Sequence, residues 1–378
     1  MWRRFMLPSH KQKRIQRLVR LGVDDGHEAD CATENVSERR RERSVRGVLA
    51  ALDQDSLKVL HDVVQSRGAC QGACVVLSQS ECSLRWRCAA GVVALMCRHF
   101  RWPELDGDGR LKRLAVCKAG QDERGVCVNP YHWSRLHRPD ASAPIASAKL
   151  RARLRSSNSP DECESAEPQS VTTGGTCQYG SISSLDGTSF STWCRLVYFE
   201  RRRRVGQVGG WSVRAPVQHV FYNLPHEDGL ALSAVAAQNP HPEPDVVRTR
   251  QHIGKGLSLT LESDGVWLYN RSERPLFVSS PTLEPADAAC SEAVHKLPSG
   301  FSLLVFEPRR AAGCRRRTTP PAAGPAALGA VSVSFAKGWG PRYSRRGVDE
   351  CPCWMELWFC GPALPPAEPP PPPPPPPR

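Results

Sequence analysis

The sequence predicts an α+β protein with two domains: a small N-terminal unit stapled by a metal, then a larger, mainly-β C-terminal unit. Three observations carry this reading. A stretch of 378 residues has room for two ordinary domains plus linkers. Between 117 and 132 two cysteines and a histidine recur at ligand-like spacing. Beyond Trp193, short runs of alternating apolar and polar residues lie between turn signals, the pattern of a β-sandwich.

Taken in order, residues 1–43 read as a basic, disordered N-terminus: the first 23 residues carry seven basic side chains and no acid, and Arg39 to Arg43 read RRRER. From Ser44 to Arg67, Val48, Leu49, Leu52, Leu57, Leu60, Val63 and Val64 recur at threes and fours, a helical period that Gly68 stops. Asp55-Ser56 offers an internal cap, so one helix or two fits this stretch. Residues 69–137, dense in cysteine and short apolar runs, read as small strands and loops, which closes a first domain at 44–137. The span 138–190 turns polar and rich in Ser, Pro, Gly and Thr, a flexible linker.

The second domain spans 191–362. Leu257, Leu259 and Leu261 alternate with polar residues, as do Val331, Val333 and Phe335, while Phe301 to Phe306 reads as a buried strand. Asp264-Gly265, Pro298-Ser299-Gly300 and Asn223-Leu224-Pro225 are turn signals. Arg309 to Leu328 reads as a surface insertion, and 363–378 as a proline-rich tail in polyproline II conformation.

The net charge is +13, and 42 of the 51 basic residues are arginine, whose planar fork suits carboxylates and phosphates. Blocks such as Arg201 to Arg204 and Arg315 to Arg317 fit a solvated face, nuclear import or phosphate contact. The longest nearly uncharged apolar stretch, Cys88 to Cys97, is about half a bilayer span, so no membrane insertion is expected. The N-terminus lacks a secretory signal core, so the chain is expected in nucleus and cytoplasm with its 16 cysteines reduced. Enzyme chemistry has little support: Gly254 to Gly256 does not complete a phosphate-binding loop, and no G-x-S-x-G occurs.

Cys117, Cys127 and His132 suit a structural zinc, with Asn129-Pro130 turning the chain back between the last two. The fourth ligand lies upstream: Cys74 is the choice, with Cys70, Cys82, Cys88 and Cys97 as competitors. Four protein ligands leave no open position for water, so the role is structural.

Longer strings carry a resemblance. Gly68-Ala69-Cys70 through Leu77, FRWPEL at Phe100 to Leu105, and CVNPYHWSRL at Cys127 to Leu136 resemble the N-terminal Mad-homology domain of the Smad family. WC at Trp193-Cys194, FYNLP at Phe221 to Pro225, DGVWLYNR at Asp264 to Arg271, SFAKGWG at Ser334 to Gly340 and CPCWMEL at Cys351 to Leu357 resemble its C-terminal Mad-homology domain. The resemblance implies one zinc held by Cys74, Cys117, Cys127 and His132, and a β-sandwich with flanking helices. It implies signalling by binding, downstream of TGF-β and BMP receptor kinases, and no enzymatic activity.

Within the family the chain resembles the inhibitory branch. No serine follows Ser344, so the phosphorylated tail of activating members is not expected. The span SECSLRWRCAAGVVAL, where activating members have a DNA-reading hairpin, offers only Arg85 and Arg87 as basic residues. No Pro-Pro-x-Tyr occurs in 138–190, which puts recruitment of ubiquitin ligases in doubt. The resemblance implies binding of activated type I receptors, receptor-activated Smads and the co-Smad through a basic face. Its positions fall on Arg248 and His252 and on Lys337 and Arg345, with Arg250, Arg342 and Arg346 as neighbouring cations. By themselves these read as ordinary surface residues. The alternative is a nuclear regulator that binds DNA or a corepressor through the N-terminal domain.

Overall fold

The computed structural model describes residues 10–22, 32–69, 72–78, 80–81, 89–105, 111–119, 125–138, 192–224, 228–283, 293–315 and 330–359. The linker, the proline-rich tail and both Arg85 and Arg87 lie outside the described residues.

Two helices begin inside the segment expected to be disordered, which corrects that expectation. Helix α1 (His10–Arg20) buries Leu18 and Val19, an apolar edge too short to stand out among so many basic residues. Its cations are used locally: Lys11 donates to the Ala50 carbonyl at 2.8 Å and Arg14 to the Gln54 carbonyl at 3.0 Å. Helix α2 (Ala32–Ala51) contributes Val45, Val48 and Leu49 to the same core. Helix α3 (Gln54–Gln65) adds Leu57, Leu60 and Val64. The helical stretch is therefore two helices, and the cap between them is Asp53 rather than Asp55-Ser56. The Asp53 carboxylate accepts the Ser56 N–H at 2.7 Å, and that bond holds its pKa below the usual carboxylate range.

Strand β1 (Val76–Ser78) follows, then helix α4 (Ala89–Phe100). This helix was not expected: sequence reading placed small strands and loops here. It is apolar on two faces, with Val92, Met96 and Phe100 packing on the α1–α3 core and Val93 and Cys97 on Trp102 and Leu105. An all-apolar short run has no period by which helix and strand can be told apart. The domain closes with β2 (Leu111–Arg113), β3 (Gly125–Cys127), one 3-10 turn (Pro130–His132) and β4 (Trp133–Leu136).

The second domain opens with β5 (Cys194–Glu200), β6 (Arg203–Val205), β7 (Trp211–Val213), β8 (Val217–Phe221) and β9 (Leu230–Ala231). Helices α5 (Leu232–Ala236) and α6 (Pro244–Ile253) come next, and α6 buries Val246, Thr249 and Ile253 on one face. Then follow β10 (Leu257–Glu262), β11 (Gly265–Asn270), β12 (Leu276–Ser279), β13 (His295–Leu297), β14 (Phe301–Phe306), helix α7 (Pro308–Arg315), β15 (Ala330–Phe335) and β16 (Trp354–Phe359). The expected alternations hold in part: Leu257, Leu259, Val331, Val333 and Phe335 are buried, but Leu261 is only half-buried and the intervening Ser258 and Ser334 are buried too. Helix α7 occupies the start of the expected surface insertion, with Ala311 buried.

Two sheets face each other. One runs β13-β12-β15-β16-β5-β6, with β7 also beside β5, and the other runs β2-β4-β14-β11-β10-β8-β9. Leu196, Tyr198, Leu259, Leu268, Leu303, Val333 and Met355 belong to the core they enclose.

The second sheet crosses the domain boundary. Strand β4 pairs parallel with β14, Phe301 opposite Arg135 and Ser302 opposite Leu136. The Arg135 N–H donates to the Gly300 carbonyl at 3.0 Å and the His137 N–H to the Ser302 carbonyl at 2.8 Å. Side chains reinforce the seam: Ser134 and Ser302 hydroxyls lie 2.7 Å apart, and Lys112 reaches Glu262 at 2.6 Å while sitting 4.1 Å over the Trp267 ring. Arg101 reaches the Tyr269 hydroxyl at 3.1 Å. No described helix is long and apolar enough to cross a membrane.

Candidate functional site

The first site is a knot of thiols and imidazole. Strand β3 pairs with β1, Cys127 opposite Val76, which brings Cys74 near Cys127. Asn129 caps the following turn: its side chain accepts from the Tyr131 N–H at 3.0 Å and donates to the Ala73 carbonyl at 3.2 Å. That turn swings His132 back, and the bond from the Leu114 N–H to the His132 carbonyl brings in the segment carrying Cys117.

The four donor atoms of Cys74, Cys117, Cys127 and His132 lie within 4.8 Å of one another. Cys74 Sγ is 3.9 Å from Cys117 Sγ and 3.6 Å from His132 Nδ1, and Cys127 Sγ is 3.5 Å from that nitrogen. A tetrahedral zinc with bonds of about 2.3 Å to sulfur and 2.0–2.1 Å to nitrogen has edges of about 3.6–3.8 Å. The observed edges match, and the sulfurs are far beyond disulfide length. His132 Nε2 faces the Gly72 carbonyl at 3.3 Å, so it carries the proton and leaves Nδ1 as the donor to a metal. The Lys118 N–H reaches Cys74 Sγ at 3.3 Å. Cys127 donates to Cys117, which lowers the pKa of Cys117 and raises that of Cys127.

Of the competitors, Cys97 is fully buried 3.9 Å from the Pro130 carbonyl, and burial pushes its thiol up to about 12. It packs as a neutral thiol. Cys70, Cys82 and Cys88 lie outside the described residues.

The second site is a cationic face on the sandwich. Arg248 and His252 are exposed on α6, four residues apart and so on one side of the helix. The KGWG loop after β15 is held rigid. Ala336 adopts φ 62° and Gly340 φ 94°, Trp339 is buried with Phe277 and Trp354, and a Cβ on Gly338 would enter the Tyr343 ring. The Lys337 carbonyl accepts from Ser334 Oγ at 2.7 Å, and the Arg345 carbonyl accepts from the Gly340 N–H at 2.8 Å. Lys337 and Arg345 are half-buried; Arg342 and Arg346 are exposed.

His252 joins the two segments. Its pKa is lowered by burial first, then by the charges of Arg274 and Lys337, so it is neutral at pH 7. Arg274 is thus a member of this face that sequence reading missed. It was invisible in the sequence because only the fold brings Arg274 near His252.

Arg250 does not belong to this face. Its guanidinium grips Glu200 with two bonds of 2.7 Å, and Asn239 holds the same carboxylate at 2.6 Å. Glu200 is buried, so the pair is structural, and Arg250 is reassigned from the phosphate-binding set to the domain interior. The Arg201 to Arg204 block is also largely used internally: Arg201 pairs with Glu243 and Asp245, Arg202 with Asp349, and Arg203 with Asn239.

A small domain built around a Cys3His knot, joined to a β-sandwich with a cationic loop, defines a two-domain protein built for binding through its surfaces. Residues 41–137 match the MH1 domain family and residues 191–360 the MH2 domain family. Mothers against decapentaplegic homolog 6 of Gallus gallus is 36% identical over 333 residues, covering 85% of this chain and 75% of that protein. Mothers against decapentaplegic homolog 7 of Homo sapiens is 34% identical, covering 82% and 76%. Dwarfin sma-3 of Caenorhabditis elegans is 27% identical, covering 70% and 71%. The chain belongs to the Smad family of signalling and transcription regulators, and its relatives place it in the inhibitory branch, in TGF-β and BMP signalling.

Proposed function

We propose that this inhibitory Smad occupies activated type I receptors and competes there with receptor-activated Smads, holding phosphoserines on the α6 and KGWG face. The observation that supports the reading is that His252, one turn beyond Arg248 on α6, lies within electrostatic reach of Arg274 and of Lys337 on the packed KGWG loop, the loop that also carries Arg345. A phosphoserine carries roughly −1.5 to −2 charge near neutral pH, and pre-placed cations hold it by charge-assisted hydrogen bonds. Capture of receptor-activated Smads or the co-Smad uses the same chemistry. The protein works in cytoplasm and nucleus.

Zinc is the ion proposed for Cys74, Cys117, Cys127 and His132, on the edge lengths and the soft donor set. When bound it ties three loop segments together. Direct DNA reading has less support, because the apolar half of the span expected to form a hairpin is the core helix α4.

Charge reversal at both Lys337→Glu and Arg345→Glu is expected to weaken binding of phosphorylated receptor about a hundredfold, since charged hydrogen bonds contribute about 1.5–3 kcal/mol each. Unchanged affinity in a pull-down or titration, with the fold intact by circular dichroism, refutes the assignment.

A further inference from the structure

We propose that the seam between the two domains contains a second anion site, separate from the phosphoserine face, which binds a small, multiply phosphorylated molecule. A cavity of about 380 Å³ opens there, lined by Arg67, Arg101, Lys255 and Arg271, with Glu273 the one carboxylate among the described residues of its lining. Pockets of a few hundred cubic ångströms suit a ring-sized ligand rather than a folded partner.

The charge is built in. Among the described residues that line the concavity, four cations face one carboxylate. Arg101 spends its hydrogen bonds on neutral groups, the Pro130 and Trp133 carbonyls at 3.0 and 2.7 Å and the Tyr269 hydroxyl, so its charge is not cancelled by an acid. Stacking over Trp102 and Tyr131, at 4.0 and 4.7 Å from their centroids, fixes its position. Burial raises the pKa of Tyr131 and keeps it a phenol, with the charges of Arg101 and Arg67 opposing that shift, and Lys255 donates to the Arg67 carbonyl at 2.9 Å. Tyr131 and Tyr269 supply hydroxyls and ring faces to the same walls.

The cations come in pairs from the two sides: Arg67 and Arg101 from the MH1 domain, Lys255 and Arg271 from the MH2 domain. A compact polyphosphate is the ligand that satisfies both pairs at once. By contacting both domains it favours their docked arrangement over any separated one.

The test is a calorimetric titration of the full chain with inositol hexakisphosphate as probe, repeated at rising salt. Saturable binding that weakens steeply with ionic strength is expected. Arg67→Glu with Lys255→Glu lowers affinity at least tenfold. Glu273→Gln, which removes the one opposing charge, raises it severalfold and guards against misreading a misfolded variant. Lys337→Glu with Arg345→Glu leaves it unchanged, which separates this site from the receptor-binding face. Absence of saturable binding, indifference to the Arg67, Lys255 and Glu273 changes, or displacement of the probe by a phosphoserine peptide overturns the proposal.

Discussion

His252 is the residue whose environment says most about the cationic face. Burial and two neighbouring cations lower its pKa, so at pH 7 it presents a neutral ring among charges. The sign follows: its charge, and any attraction it adds, appears only as pH falls below the ordinary histidine range. His252→Lys therefore raises affinity for a phosphoserine peptide severalfold at pH 7, as fluorescence polarisation should record. An unchanged or weaker affinity places His252 outside the contact. Arg250, two positions earlier, makes the opposite lesson concrete. Spacing alone cannot tell an arginine that faces a partner from one that faces Glu200 inside the fold.

The metal knot belongs to the scale of elements. Its four candidate ligands sit on segments with little secondary structure of their own: β1 and β3 are three residues each, and Cys117 closes a turn. Segments this short hold a register only when something ties them, and in small domains a structural zinc supplies that tie. Cys127→Ser with His132→Ala should abolish zinc in elemental analysis. Hydrogen exchange in β1 and β3 should accelerate at least tenfold, while the β10–β11 hairpin stays protected. Wild-type protein without zinc would refute the site. The cluster was legible because candidate zinc donors are restricted to a few residue types such as Cys and His. Helix α4 was not legible, because burial on two faces erases its period.

At the scale of the whole molecule, the domains share a sheet. Two backbone hydrogen bonds link β4 and β14, and the Lys112–Glu262 pair flanks them in a half-buried position. Lys112→Glu alone is expected to loosen the seam, raising exchange at Arg135 and His137 several-fold, and Lys112→Glu with Glu262→Lys to restore protection. No rescue in the double variant shows that the pair does not couple the domains. His137, at the end of β4, is depressed to about 4, chiefly by burial and also by the charge of His295. It stays neutral in the folded state, so its contribution turns unfavourable as pH drops from about 6.5 toward 4.

Sequence by itself determined the two domains, most strands of the sandwich, the Cys and His set that the fold gathers into one cluster, and the family, because each rests on local period or on residue types that chemistry cannot exchange. Only the tertiary structure decided which arginines face outward, which cap divides α2 from α3, that α1 packs, and that the domains join through β4 and β14. Those outcomes depend on pairings between residues far apart in the chain, where burial and strand register, rather than local propensity, set the energy.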